Sequence, residues 1–376
     1  MKKLSIIAIL LYIVCLPQFV YADIQQDLTD QVNEGLGNLD FSQVENVADN
    51  YIGDIVGKIR AIINGEFDNA ESFLQMVFSL LGDNLSQLLP QLVSLFVVLV
   101  LVGLVRNTSD GFISQSTDNV VSFVGKTVVV LTVVSLFADA FKQVEGVIEE
   151  LSVLAEVSLP ILLTLVIANG SNNVSAICQP SMVMFSGVII SVVKNVLLPL
   201  TVSATAFAFV SNLSQNVKVT KMSKFLNNVA SWILGIMFTI FSAFTSVQGI
   251  VGASMDGVSY RMAKFTAKNY IPILGGYVSE GFDIVVASTN LIKNSFGVVL
   301  LIVLALMVLK PFLTILSLNV GLQGISALSE PVSSDNCAPM FSGMCKSLTF
   351  LSALLVAVAF MFAILVIVAI TCANVV

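Results

Sequence analysis

From Leu88 to the C-terminus the chain is a succession of apolar runs, each close to or beyond the length of a bilayer crossing. A helix needs about 20 predominantly apolar residues to span the hydrocarbon core. On that measure the candidate spans are Leu88–Val105, Val120–Phe141, Leu151–Ala168, Met182–Val210, Val229–Val251, Phe296–Ala327 and Leu348–Ile370. Two of these are too long for one upright helix, and each contains a lysine followed by a proline. The first has Lys194 and Pro199; the second has Lys310 directly before Pro311. Each reads as a tilted helix, a kinked helix or a re-entrant pair. The fold class that follows is all-α, a polytopic helical membrane protein occupying 88–376. Composition agrees, with 56% hydrophobic and 11% charged residues against about 25% charged in a typical soluble domain.

Ahead of the spans the chain changes character. Lys2 and Lys3, the apolar run Leu4–Leu16 and the small-residue end Val20-Tyr21-Ala22 read together as a signal peptide over 1–22. An uncleaved first anchor is the alternative, and in either case 23–87 is exported. That region holds twelve of the chain's 24 acidic residues and two basic ones, Lys58 and Arg60. Val44, Val47, Ile52, Ile55, Val56 and Ile59 recur at helical spacing, which predicts short amphipathic helices. So acidic a segment does not bind nucleic acid by charge, and anionic headgroups repel it. It reads either as a docking surface or as a solvated helical cap.

The chemistry-bearing residues are few. There is no histidine, which removes the commonest general base and the commonest metal ligand. Cys15, Cys178, Cys337, Cys345 and Cys372 show no paired spacing. Phosphate-binding glycine loops and hydrolase or protease signatures are absent. The sequence therefore predicts no enzyme, no cofactor and no metal. What remains is a set of ionisable residues inside apolar segments: Lys126, Glu156, Lys194 and Lys310. Each costs roughly 2.5–3.5 kcal/mol on insertion scales, so such residues face protein or water. They read as a polar path near the midplane, or as interhelical pairing of Glu156 with a lysine and snorkelling of Lys126.

One stretch is neither plain span nor plain loop. Between Gly249 and Gly297, Val258, Met262 and Phe265 recur at helical spacing beside a cationic strip of Arg261, Lys264 and Lys268. Ser259, Ala263 and Ala267 form a small-residue face that would let another helix approach closely. Pro272 then ends the helix, and Gly275-Gly276 permits a sharp turn. A second segment carries Glu280, Asp283, Lys293 and Asn294. The candidate packing and interaction residues are Asp256, Arg261, Ala263, Pro272, Gly275, Gly276, Lys293 and Asn294.

The ordered series D-G-V-S-Y-R-M-A-K, N-Y-I-P-I-L-G-G, F-D-I-V-V-A-S, L-I-K-N-S-F-G and S-E-P-V resembles the C-terminal half of the stage III sporulation protein AE family of endospore-forming bacteria. That resemblance implies a multi-pass protein of the mother-cell membrane facing the engulfed forespore. It implies a structural subunit of a secretion-like channel, needed for forespore integrity and late forespore gene expression. The partners it implies are the other stage III A-operon membrane proteins and a forespore membrane protein. Independently of any resemblance, the lysine-proline segments and buried charges suit a secondary transporter or permease of unknown substrate. On orientation, seven simple spans put 252–295 on the cytoplasmic face, and splitting either long segment reverses everything downstream of it.

Overall fold

The computed structural model describes residues 30–37, 39–49, 51–64, 70–109, 115–168, 172–213, 219–255, 275–329 and 338–371; the signal peptide read over 1–22 lies outside them. No strand occurs among the described residues. Three short helices come first: α1 (30–37), α2 (Ser42–Ala48) and α3 (Ile55–Ile63). Local chemistry starts two of them. The Asp40 carboxylate accepts the backbone N–H and the hydroxyl of Ser42 at the head of α2, which holds its carboxyl below the usual range. Gly53 takes the left-handed conformation, φ 70°, and Asp54 then caps α3 by accepting the Gly57 N–H at 2.8 Å. Val32, Leu36, Phe41, Val44, Ala48, Ile55 and Ile59 are all buried, so the three helices form a cap with one apolar side.

The rest is a bundle of long helices. These are α4 (Ala70–Ser109), α5 (Gln115–Ala168), α6 (Asn172–Val192) continuing through a π turn (Val193–Leu197) into α7 (Leu198–Leu213), α8 (Thr220–Met255), α9 (Gly275–Ser329) and α10 (Ala338–Thr371). Neighbours run antiparallel. On α6–α7 and α8, Ser211 meets Thr220, Phe185 stacks on Phe244 at 3.7 Å, and Ser181 meets Gln248. On α9 and α10, Asn319 pairs with Thr349 at one end and Gly297 packs on Ile370 at the other. The cap lies against α5 and α9, with Phe41 edge-on to Phe296 at 5.2 Å.

Among the described residues six helices are long and apolar enough to cross a membrane, where seven spans were expected. The expected spans Val120–Phe141 and Leu151–Ala168 are two ends of α5, whose 54 residues run on without a break. The polar connection between them, Lys142–Glu150, contains no breaker stronger than Gly146, and its Val144, Val147 and Ile148 are buried at helical spacing. Tertiary burial of that stripe keeps the helix going. Likewise Gly275 and Gly276 make no sharp turn; they lie in the first turn of α9, which runs unbroken through Val278–Gly297 and Phe296–Ala327. The boundary expected at 87/88 falls inside α4. At about 1.5 Å per residue, α5 and α9 are each roughly 80 Å long, against about 30 Å of hydrocarbon.

Neither lysine-proline segment is a re-entrant pair. Pro311 sits inside α9, and the Thr314 hydroxyl donates to the Lys310 carbonyl one turn before it. Pro199 lacks the N–H that would return to Asn195 and its ring crowds that carbonyl. The helix widens there, with the Leu198 N–H bonding Val193.

Continuity of α5 is directly testable at Gly146, where a Cβ would meet nothing within 4 Å. Gly146→Ala is expected to stabilise by about 0.5–1 kcal/mol. Gly146→Pro is expected to cost about 3 kcal/mol or more. Thermal unfolding in detergent measures both; a loop at this position would tolerate the proline.

A polar belt and cavity across the long helices

The polar middle of α5 is where the elements meet. Glu149 and Glu150 are consecutive and point to different partners. Glu149 Oε1 accepts from Lys194 Nζ at 2.6 Å, tying α5 to the π turn. Glu150 Oε2 accepts from the Tyr51 hydroxyl at 2.6 Å, tying α5 to the cap. Burial and the adjacent Glu150 carboxylate push the Tyr51 phenol well above its ordinary value of about 10. The Lys194–Glu149 pair is substantially exposed, so it contributes little to stability.

Beside the belt lies a cavity of about 570 Å³. Its polar lining comprises Gln87 and Gln91 from α4, Asp139, Lys142 and Gln143 from α5, and Lys310 and Thr314 from α9, with Tyr51 and Glu150 at one wall. Met307 and Pro311 line it too, and Pro311 has no N–H to return to the Met307 carbonyl. The cavity thus combines both signs of charge, three side-chain amides and backbone polarity. No group of three His, Cys, Asp or Glu side chains among the described residues is placed to hold a metal.

The intramembrane residues read from the sequence are dispersed. Lys310 lines the cavity and Lys194 joins the belt. Glu156 is exposed and accepts the Ser152 hydroxyl at 3.1 Å; it is Glu149, not Glu156, that pairs with a lysine. Lys126 is half-buried near the start of α5. Lys293 is fully buried and partnered, whereas its neighbour Asn294 is exposed. Asp256, Arg261, Ala263 and Pro272 lie outside the described residues. Sequence reasoning missed Lys142, Gln143, Glu149 and Glu150 because they fall between two expected spans, Asp139 although it lies inside one, and Tyr51 because it is far from Glu150 in the chain. The available signal was the buried-stripe spacing of Val144, Val147, Ile148 and Leu151 running through the polar residues.

These features define a multi-pass α-helical membrane protein with a small polar cap docked on its two longest helices. The profile of the stage III sporulation protein AE family matches residues 54–373, and the chain belongs to that family. It is similar to stage III sporulation protein AE of Bacillus subtilis (strain 168), 26% identical over 323 residues covering 85% of this chain and 80% of that protein. No solved structure matches the chain. Family membership supports a role in sporulation.

The Tyr51–Glu150 bond is the cap's one side-chain hydrogen bond to the bundle among those described. Hydrogen bonds to charged groups contribute about 1.5–3 kcal/mol, and partial exposure puts Tyr51→Phe near the bottom of that range. Lys194→Met is expected to cost less than about 1 kcal/mol. Because the folded phenol titrates higher than the unfolded one, the Tyr51 contribution is complete below pH 10 and declines as pH rises beyond it. Trypsin cleavage after Arg60 at increasing pH reads both effects: the wild type should loosen only above pH 10, and Tyr51→Phe should be loose throughout.

Proposed function

We propose that the chain is a structural membrane subunit of a secretion-like channel complex between mother cell and forespore. It sits in the mother-cell membrane with its cap towards the forespore and supports late forespore gene expression. The observation that carries this reading is family membership over most of the chain. Its partners are the other stage III A-operon membrane proteins and a forespore membrane protein. A secondary-transporter reading draws on the mixed-charge cavity beside Lys310.

Detergent pull-down from sporulating cells followed by mass spectrometry separates the two. Co-purification of stage III A membrane proteins is expected. Recovery of none of them, together with solute flux from the chain alone in liposomes, would favour the transporter.

Six crossings from an exported cap also reverse the orientation that seven spans implied. They put the start of α8, with exposed Lys221 and Lys224, on the cytoplasmic face, as basic residues prefer. The stretch 252–295 is then exported. Strong labelling of Ser259→Cys by an impermeant reagent in intact cells is the expected outcome; protection there would restore a cytoplasmic placement.

A further inference from the structure

Two pairs of consecutive residues fix which elements share a depth in the bundle. Glu149 holds the π turn through Lys194 while Glu150 holds the cap through Tyr51. Phe296 meets Phe41 of the cap while Gly297 packs against Ile370 of α10. Tyr51 of the cap therefore lies level with the π turn, and Phe41 lies level with the C-terminal end of α10. Ten residues up each helix, about 15 Å, Phe360 on α10 is level with Met307 at the cavity wall. Phe360 in turn stacks on Phe238 of α8 at 6.0 Å.

At this common depth the surface has two kinds of flank. Away from the cap, α6, α8 and α10 expose Val188, Trp232, Ile236, Ile240 and Phe360, with Trp232 74% exposed. Hydrocarbon suits this surface and water does not. On the other flank, Asp139, Lys142, Gln143, Glu145, Glu149 and Glu156 are all exposed along one arc of α5, a polar strip about 25 Å long. The cap continues it outward with exposed Glu34, Asp40 and Asp49. Charged side chains at membrane depth face protein or water, not lipid.

We propose that the α5–cap flank borders a water-filled, net anionic passage at membrane depth, while the α6–α8–α10 flank faces lipid. This rests on the channel-subunit reading for the existence of the passage and adds which face of the chain lines it. Asp139, Glu145, Glu149 and Glu156 on the α5 strip outnumber Lys142 and the Lys194 that pairs with Glu149, so the passage concentrates cationic solutes and disfavours anionic ones.

The lipid flank is tested on the unaltered protein, because Trp232 is its one tryptophan. In liposomes, brominated acyl chains should quench its fluorescence strongly and aqueous iodide should leave it unchanged; the reverse pattern overturns the assignment. The polar flank is tested in sporulating cells, in a chain whose five native cysteines are replaced. Gln143→Cys and Glu145→Cys should react with a small quaternary-ammonium thiol reagent at least tenfold faster than Val188→Cys and Ile236→Cys. They should also react faster with it than with a sulfonate reagent of similar size. Equal rates on the two flanks overturn the passage, and faster reaction with the sulfonate overturns its anionic character. Partner recovery is scored separately: partners recovered with equal labelling sinks this inference alone, whereas the expected labelling without partners sinks the complex and leaves standing only the assignment of a water-facing, anionic α5–cap flank.

Discussion

An apolar helix has to be covered by protein or by lipid, and α9 imposes that demand along most of its 55 residues, with Val298, Leu316 and Val320 left at the surface. Phe296, Val299 and Leu300 are almost wholly buried in its first half, and Val303, Met307, Leu318 and Leu322 in its second. No single neighbour covers more than one side of it. α5 runs alongside it, α10 covers a second side, α4 packs near Gly321 through Leu92, and the cap closes the side near Phe296. The cap is thus part of the core: its buried residues cover α9 near Phe296, and Glu34, Asp40 and Asp49 face outward.

Polar contacts are arranged around this apolar axis and do not replace it. Hydroxyls inside the helices mostly bond their own helix one turn back, as Thr201 does to Leu197 and Thr205 to Thr201. Such bonds satisfy a buried hydroxyl without needing a partner helix. Contacts between helices are fewer, and each sits where two elements must be held in register: Lys194 on Glu149, Gln248 on Ser181, Asn319 on Thr349. Cys345 shares this last junction as a free, buried thiol.

The helical, multi-pass class was legible because long apolar runs admit few other solutions. What failed was the division of those runs. Hydropathy counts Lys142, Glu145, Glu149 and Glu150 as an interruption, yet a helix can carry polar residues on one arc while burying Val144, Val147 and Ile148 on another. Gly275-Gly276 misled for a related reason. Glycine permits a turn without requiring one, and the long apolar continuation of α9 outweighs about 1 kcal/mol per glycine of helix penalty. The site was less legible than the fold. Lys194 and Lys310 stood out against apolar surroundings, but Tyr51 lies 99 positions from Glu150, and no local pattern links a pair so distant.

The π turn carries a consequence for the phase of its helix. One extra residue in a turn offsets everything after it by about 100° relative to an unbroken α-helix. Before the turn, α6 directs Phe185 at α8; within it, Lys194 reaches α5; after it, α7 brings Ala208 to 3.4 Å from where a Cβ on Gly343 of α10 would stand. A single straight helix of the same residues keeps one phase and loses one of these three neighbours. The proline at 199 therefore acts as a phase shifter, by which one crossing is shared among three different helices.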